Sequence, residues 1–280
     1  MNERIKKLLR PMVRRIQNTW LSKPLYYLQD GLFVIRYYLM GPPRISADDI
    51  SNVETNVTFI YKSFNRQRQA KRLYQSIRRY YPAAHIIIAD DSKEPLEIEG
   101  ADIIHLPFNS GLSKGLIAAL ERMETPYVMR MDDDLLLTPR SNVHGQLKFL
   151  QTHMEVDLTA IQMSSHPLQA AEEYRMISMN KELLIPVGTV IDGRDVVYKA
   201  PNVFLARTEK LKKVGYDPRI RMIDHHEFFY RAAGQIVSVQ DPYAFVLHCH
   251  NRFDSAYSVF RNDIKGDQEY IRAKHFRQKK

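Results

Sequence analysis

Residues 127–137 read YVMRMDDDLLL, three carboxylates in a row between two apolar runs. Val128, Met129 and Met131 suit a buried strand, and so do Leu135, Leu136 and Leu137. Adjacent carboxylates repel, and burying even one costs several kcal/mol (roughly) unless it is paired. Either Asp132, Asp133 and Asp134 form a solvated turn, or they rim a sheet and face a cation. In an extended chain Asp132 and Asp134 point to one side and Asp133 to the other. Two hard oxygen ligands on one side suit Mn2+ or Mg2+, which share their shell with substrate phosphates.

Working outward, Val57–Tyr61, His85–Ala89 and Asp102–Leu106 are three further short apolar runs. Between them the spacing predicts a helix over 67–80, with Leu73 and Ile77 on one face, and another over 113–123 opening near Gly111. Near-continuous apolar strands alternating with helices predict an α/β fold with a mostly parallel central sheet and helices on both faces. Ligands in such sheets bind beyond the carboxyl ends of the strands. Ser63, Asn65 and Arg66, then Asp90 and Asp91, then the three aspartates would therefore converge on one crevice. Further along, helices are expected over 141–152, 209–214 and 224–233, and strands over 158–163, 183–192, 196–205 and 236–239. There is no internal repeat, so residues 51–280 are read as one domain behind a basic segment, 1–50.

The 280 residues carry 41 Lys and Arg against 32 Asp and Glu, a formal net charge of +9. The excess sits at the ends: Arg4, Lys6, Lys7, Arg10, Arg14 and Arg15 at the start, Arg277, Lys279 and Lys280 at the finish. Such ends favour polyanions, either an anionic membrane face or nucleic acid. The acidic loops in the middle and the lack of a nucleic-acid-binding motif argue against the latter. Leu8, Leu9, Met12, Val13, Ile16 and Trp20 recur at helical spacing, so residues 3–22 are expected to form an amphipathic helix, packed on the domain or lying in a membrane interface. No apolar run approaches the ~20 residues of a membrane span, and the start lacks a signal-peptide pattern. A cytoplasmic location, peripheral at the inner membrane face, is the resulting expectation. The single cysteine, Cys249, excludes an internal disulfide and speaks against zinc at the HCH triplet 248–250.

The succession TFIYKSFNR, IIIADDS, LPFNSGLSKGLIAAL and YVMRMDDDLLL resembles the nucleotide-sugar-binding half of the GT-A glycosyltransferases. Within them it is similar to family-2 enzymes, especially the GM2 synthase-type N-acetylgalactosaminyltransferases. The resemblance runs over about residues 56–255. It implies a Rossmann-like GT-A fold and transfer of a sugar from a nucleoside-diphosphate donor of the UDP series to a hydroxyl of a glycan or lipid-linked acceptor. Position by position, it implies that Ser63, Asn65, Arg66, Gly111, Ser113 and Lys114 line the donor nucleotide and that Asp90 or Asp91 meets the uracil edge. Asp132 and Asp133 would lie by the donor, Asp132 and Asp134 would match the metal-binding pair, and His248 or His250 would complete the coordination of Mn2+ or Mg2+. In IDHHEFFYRAAG, residues 223–234, the acceptor-side base would be Glu227, then Asp224, then His225. Arg252, Tyr257 and Arg261 would close over the diphosphate. The same residues have plainer readings: Asn65 as a helix cap, Gly111 as a turn and Lys114 as a solvated lysine. A sugar-phosphate nucleotidyltransferase would need a glycine-rich loop after the first strand, and KSFNR has none.

Overall fold

A computed structural model describes residues 13, 15–17, 19–163, 181–254, 257, 259–260 and 264–275. The helix expected over 3–22, Arg261 and the last basic residues fall largely or wholly outside them.

Strands β1 (Val57–Ser63), β2 (His85–Asp90), β3 (Asp102–His105) and β4 (Tyr127–Asp132) form the parallel part of a ten-stranded sheet, in the order β3-β2-β1-β4. Beyond β4 come β9 (Phe204–Arg207), antiparallel, then β6 (Leu158–Met163), β10 (Ser238–His248), β8 (Arg194–Val196) and β7 (Val190–Ile191). The two-residue strand β5 (Leu135–Leu136) pairs with the end of β10.

Alternation along β1 shows how the sheet is covered. Phe59 and Tyr61 enter one apolar cluster with Ala70, Leu73 and Ile77 of α3 (Gln67–Tyr80) and Leu147 and Leu150 of α5 (Val143–Thr152). Ile60 enters the other, with Leu116 and Leu120 of α4 (Leu112–Glu121), Leu211 of α6 (Thr208–Val214), and Phe228 and Phe229 of α7 (Asp224–Ala232). The remaining described helices are α1 (Ser22–Leu39), α2 (Ala47–Asn56) and α8 (Lys265–His275). The boundary expected at residue 50 falls inside α2, and α1 is pinned to the domain by Asp30, which bonds Arg72 of α3 at 2.7 Å.

The second half departs from the periodicity. The strand expected over 183–192 is reduced to Val190–Ile191, and that over 196–205 divides into Arg194–Val196 and Phe204–Arg207. The strand expected at 236–239 runs on to His248, crossing Pro242 where the β6–β10 register shifts. Proline withholds a ladder donor, so the irregularity falls where the chemistry puts it.

Candidate active site

The carboxyl ends of β1, β2 and β4 lie side by side, with Ser63 opposite Asp90 and Lys62 opposite Asp132. After β1 the chain turns through Asn65, whose φ of 52° is a left-handed value that asparagine tolerates. Its backbone N–H donates to Ser92 at 2.7 Å and its side-chain oxygen accepts from the Lys93 N–H at 3.0 Å, tying the loops after β1 and β2 together. No side-chain cap from Asn65 to α3 forms. Asp90 is buried and accepts from Ser92 Oγ and the Leu96 N–H. Asp91 is fully buried, paired with Lys62 at 2.5 Å and accepting the Gly111 N–H at 3.0 Å. Both carboxylates thus have partners within the protein and shape the loops. Gly111 has φ 102°, and a Cβ there would meet Arg221 Cα at 3.1 Å. The close approach this glycine permits is taken by the chain's own residue 221. Ser63 and Ser113 are fully buried, and their hydroxyls lack a partner among the described residues; Lys114 is exposed.

The three aspartates do not divide as an extended chain would have them. β4 ends at Asp132, and residues 133–134 form a tight turn into β5. Asp133 and Asp134 consequently share one cation: Arg66 Nη1 lies 2.9 Å from Asp133 and Nη2 3.0 Å from Asp134, all three side chains buried. Asp132 turns back along its strand to Arg130, at 3.1 Å. Burial pushes the Asp133 carboxyl up to about 7 even beside Arg66. Burial also opposes ionisation of Asp134, but Arg66 and His248 hold its carboxyl well below the usual range.

Pairing of β5 with β10 explains why Asp134 meets histidines far away in sequence. Leu135 stands opposite His248, and the Cys249 N–H donates to the Asp134 carbonyl at 2.8 Å. His248 Nε2 comes within 3.4 Å of the Asp134 carboxylate, which keeps the imidazole pKa raised against burial. One ligand atom each from Asp134, His248 and His250 lie within 4.8 Å of one another. Both histidines therefore join the group, whereas Asp132 does not. Two imidazole nitrogens and an ionised carboxylate fit a divalent cation.

Over this crevice lies the segment that follows β10. Tyr257 stacks on the Arg66 guanidinium at 4.3 Å, Asp254 approaches it at 3.9 Å, and Phe260 packs against Phe64 and Phe108. Arg252 bonds through its backbone to Gln29 of α1.

On the acceptor-side motif the three candidate residues lie in different surroundings. Glu227 is buried beneath three cationic or titratable partners, Arg231 at 2.8 Å, Lys274 at 2.7 Å and His275 at 3.0 Å. Although burial opposes it, these partners lower the Glu227 pKa, so this carboxylate anchors α8 and has no idle proton-accepting oxygen. His225 is driven to a low pKa by burial, then by Lys199, and packs edge-on to Phe229. Asp224 is the exception. It is buried, no side chain among the described residues bonds either oxygen, and burial lifts its pKa to about 6, although Arg130 and the backbone N–H groups at the start of α7 pull the other way.

Residues 58–215, more than half of the chain, match the model of the family described as Glycosyl transferase family 2. The chain belongs to glycosyltransferase family 2. It is 31% identical over 222 residues to the mouse beta-1,4 N-acetylgalactosaminyltransferase 2, covering 77% of this chain and 42% of that protein. It is 31% identical over 207 residues to the human beta-1,4 N-acetylgalactosaminyltransferase 1, covering 66% of this chain and 37% of that one. The chain thus spans about two-fifths of the length of these relatives. Among solved structures, the Pyrobaculum calidifontis mannosyltransferase PcManGT, in complex with GDP-Man and Mn2+, is similar with a TM-score of 0.54 and 13% identity, over 90% of this chain and 75% of that one. S. aureus TarS 1–349 gives a TM-score of 0.52 at 15% identity, over 69% of this chain and 60% of its own. The fold is that of the GT-A glycosyltransferases, as the order of motifs implied.

For this family-2 chain, Arg130 is the residue that motif reading passed over. It is fully buried in β4, bonds the Asn202 carbonyl at 2.5 Å, and keeps its charge through Asp132 although burial opposes it. The signal is one arginine within the apolar run Tyr127–Met131 that leads to Asp132. Asp267 was also missed. On α8, it accepts backbone N–H groups from Arg221, Met222 and Ile223, the residues leading into Asp224.

Proposed function

We propose that the chain transfers a sugar from a nucleoside-diphosphate donor, UDP-linked, to a hydroxyl of a glycan or lipid-linked acceptor, with inversion at the transferred carbon. The observation that carries this reading is the convergence of Asp134, His248 and His250 at the carboxyl end of the sheet. These residues would hold Mn2+, which when bound supplies Lewis-acid neutralisation of the departing diphosphate. Arg66, fixed by Asp133, Asp134 and Tyr257, adds fixed positive charge beside the same place. Its stacking partner Tyr257 and the Phe64–Phe108–Phe260 cluster form a cover that keeps water from the donor.

Asp224 is the base in this scheme. A carboxylate acting on an acceptor hydroxyl benefits from a raised pKa and from oxygens that no side chain holds, and it has both. Arg130 and Asp132 act on it electrostatically, so its proton affinity is set by the strand that also leads to the aspartate turn. The family match favours neither rival reading, nucleic-acid binding or nucleotidyl transfer.

The test is a screen of UDP-, GDP- and CDP-sugars by donor hydrolysis and thermal shift, with Mn2+, Mg2+ or EDTA. UDP-sugar turnover that requires Mn2+ is expected. His250→Ala, at an exposed side chain, should abolish the Mn2+ requirement or the turnover while leaving the metal-free melting curve in place. Full activity in EDTA, or wild-type Mn2+ response in His250→Ala, would sink the metal assignment.

A further inference from the structure

Helix α1 has two apolar faces, and the domain covers just one of them. Tyr26, Asp30, Phe33 and Tyr37 face inward: Tyr26 bonds Gln69 at 2.6 Å, Asp30 bonds Arg72, and Tyr37 and Phe33 pack with Leu136, Leu247 and Cys249. At about 100° per residue, Leu21, Leu28, Leu32, Ile35 and Leu39 fall together on the opposite side. There Leu28 is 61%, Leu32 57%, Ile35 57% and Leu39 81% exposed. Tyr27 and Tyr38 stand along one border of this stripe, and Trp20, 81% exposed, marks its start.

Charge identifies what fits against it. Among the described residues up to 46, the charged side chains left exposed are Arg15, Lys23, Arg36 and Arg44, all basic. The one acid, Asp30, is buried against Arg68 and Arg72. The sequence ahead adds Arg4, Lys6, Lys7 and Arg10 against Glu3 alone. A leucine stripe with aromatic borders, on a helix whose own exposed charges are Lys23 and Arg36, is the pattern of a helix lying in a lipid interface. No helix of the described residues is long and apolar enough to cross a membrane.

We propose that α1 is a monotopic membrane contact that seats its outward leucine stripe in an anionic lipid surface. This stands independently of the reaction proposed above and of the expectation for residues 3–22, which lie largely outside the described residues. It also bears on the acceptor. α1 bonds the strand end that carries the candidate ligands, through Gln29 to the His250 carbonyl at 3.3 Å and to the Arg252 N–H at 3.1 Å, and through the Tyr26 carbonyl to Asn251 at 2.9 Å. An enzyme held at a bilayer by this helix would meet an acceptor whose hydroxyl is lipid-linked.

The full chain supplies its own probe, because Trp20 is its single tryptophan. With vesicles of phosphatidylcholine and phosphatidylglycerol, the protein should co-float and its Trp20 emission should shift to the blue. Pure phosphatidylcholine vesicles should bind far less. Leu28→Glu/Leu32→Glu/Ile35→Glu should abolish flotation with an unchanged melting curve, since none of these side chains enters the core. Lys23→Gln/Arg36→Gln/Arg44→Gln should weaken binding by about a hundredfold, roughly fivefold for each charge lost near the surface. Wild-type flotation by the glutamate variant, or equal binding to neutral vesicles, would overturn the proposal. So would lipid-free self-association, seen by sedimentation velocity and lost in that variant, without vesicle binding: the stripe would then be covered by a second copy.

Discussion

Replacing Asp224 by asparagine separates a catalytic carboxylate from a structural one, because the two readings differ in the sign of the stability change. Burial lifts this carboxyl from an ordinary 3.8 to about 6. At 1.36 kcal/mol per pH unit, an ionised Asp224 costs the folded state about 3 kcal/mol at neutral pH. The folded state holds a proton between 3.8 and 6 that the unfolded state has released, so stability falls as pH rises through that window, and above it the full cost is present. Asp224→Asn removes the charge but leaves an amide still short of partners, so a net gain of about 1–3 kcal/mol is expected. That corresponds to a rise in Tm of about 2–5 °C at neutral pH for a chain of 280 residues. Near pH 4, where the folded carboxyl is protonated anyway, the gain should vanish. Transfer activity should fall by roughly 10²–10⁴-fold, the usual worth of a general base. Differential scanning fluorimetry across pH, beside a donor-to-acceptor transfer assay, reads both. A destabilised variant, or a Tm gain that does not change with pH, would refute the reasoning, and retained turnover would remove Asp224 from the chemistry.

The other carboxylates of this region should behave in the opposite way. Glu227→Gln takes a buried charge from Arg231, Lys274 and His275, so a loss of roughly 2–4 kcal/mol is expected. Because the Glu227 pKa is lowered by these partners, that difference should shrink as pH falls below the unfolded carboxyl value, while the folded fraction at neutral pH keeps its turnover; loss of turnover at full folding would restore Glu227 as the base. Asp267→Ala strips the acceptor from the N–H groups of Arg221, Met222 and Ile223 and should cost about 2–4 kcal/mol. It should also lower kcat, since it loosens the entry to Asp224, and raise the donor KM, since Arg221 is packed against Gly111 and bonded to Asn109; unchanged kinetics in the folded fraction would remove the positioning role.

The parallel half of the sheet was legible in the sequence because its signals are local. Short apolar runs on either side of amphipathic helices leave few alternatives, and α3, β1, β2 and β4 begin and end close to where periodicity puts them. β7, β8 and β9 were not legible in that way, since their strands are two to four residues long and carry too little pattern to separate from loop. Among candidate site residues, the sequence named Asp134, His248, His250 and Asp224, and it placed Glu227 ahead of Asp224, where the proposal made above takes the opposite order. Ranking requires knowing which carboxylate has cations within reach, and the partners Lys274 and His275 lie some fifty positions away on α8.

The aspartate run shows the same division. Composition and flanks alone determined that carboxylates stand at the end of a buried strand and need a positive partner. Which partner each receives was decided by tertiary structure. A turn at Asp133–Asp134 replaces the extended alternation, so one buried arginine spans both, while Asp132 returns to Arg130. The pairing of two-residue β5 with the end of β10 then carries Asp134 to His248. Charge requirements are written residue by residue, but the distances that satisfy them arise where strands remote in sequence are hydrogen-bonded side by side.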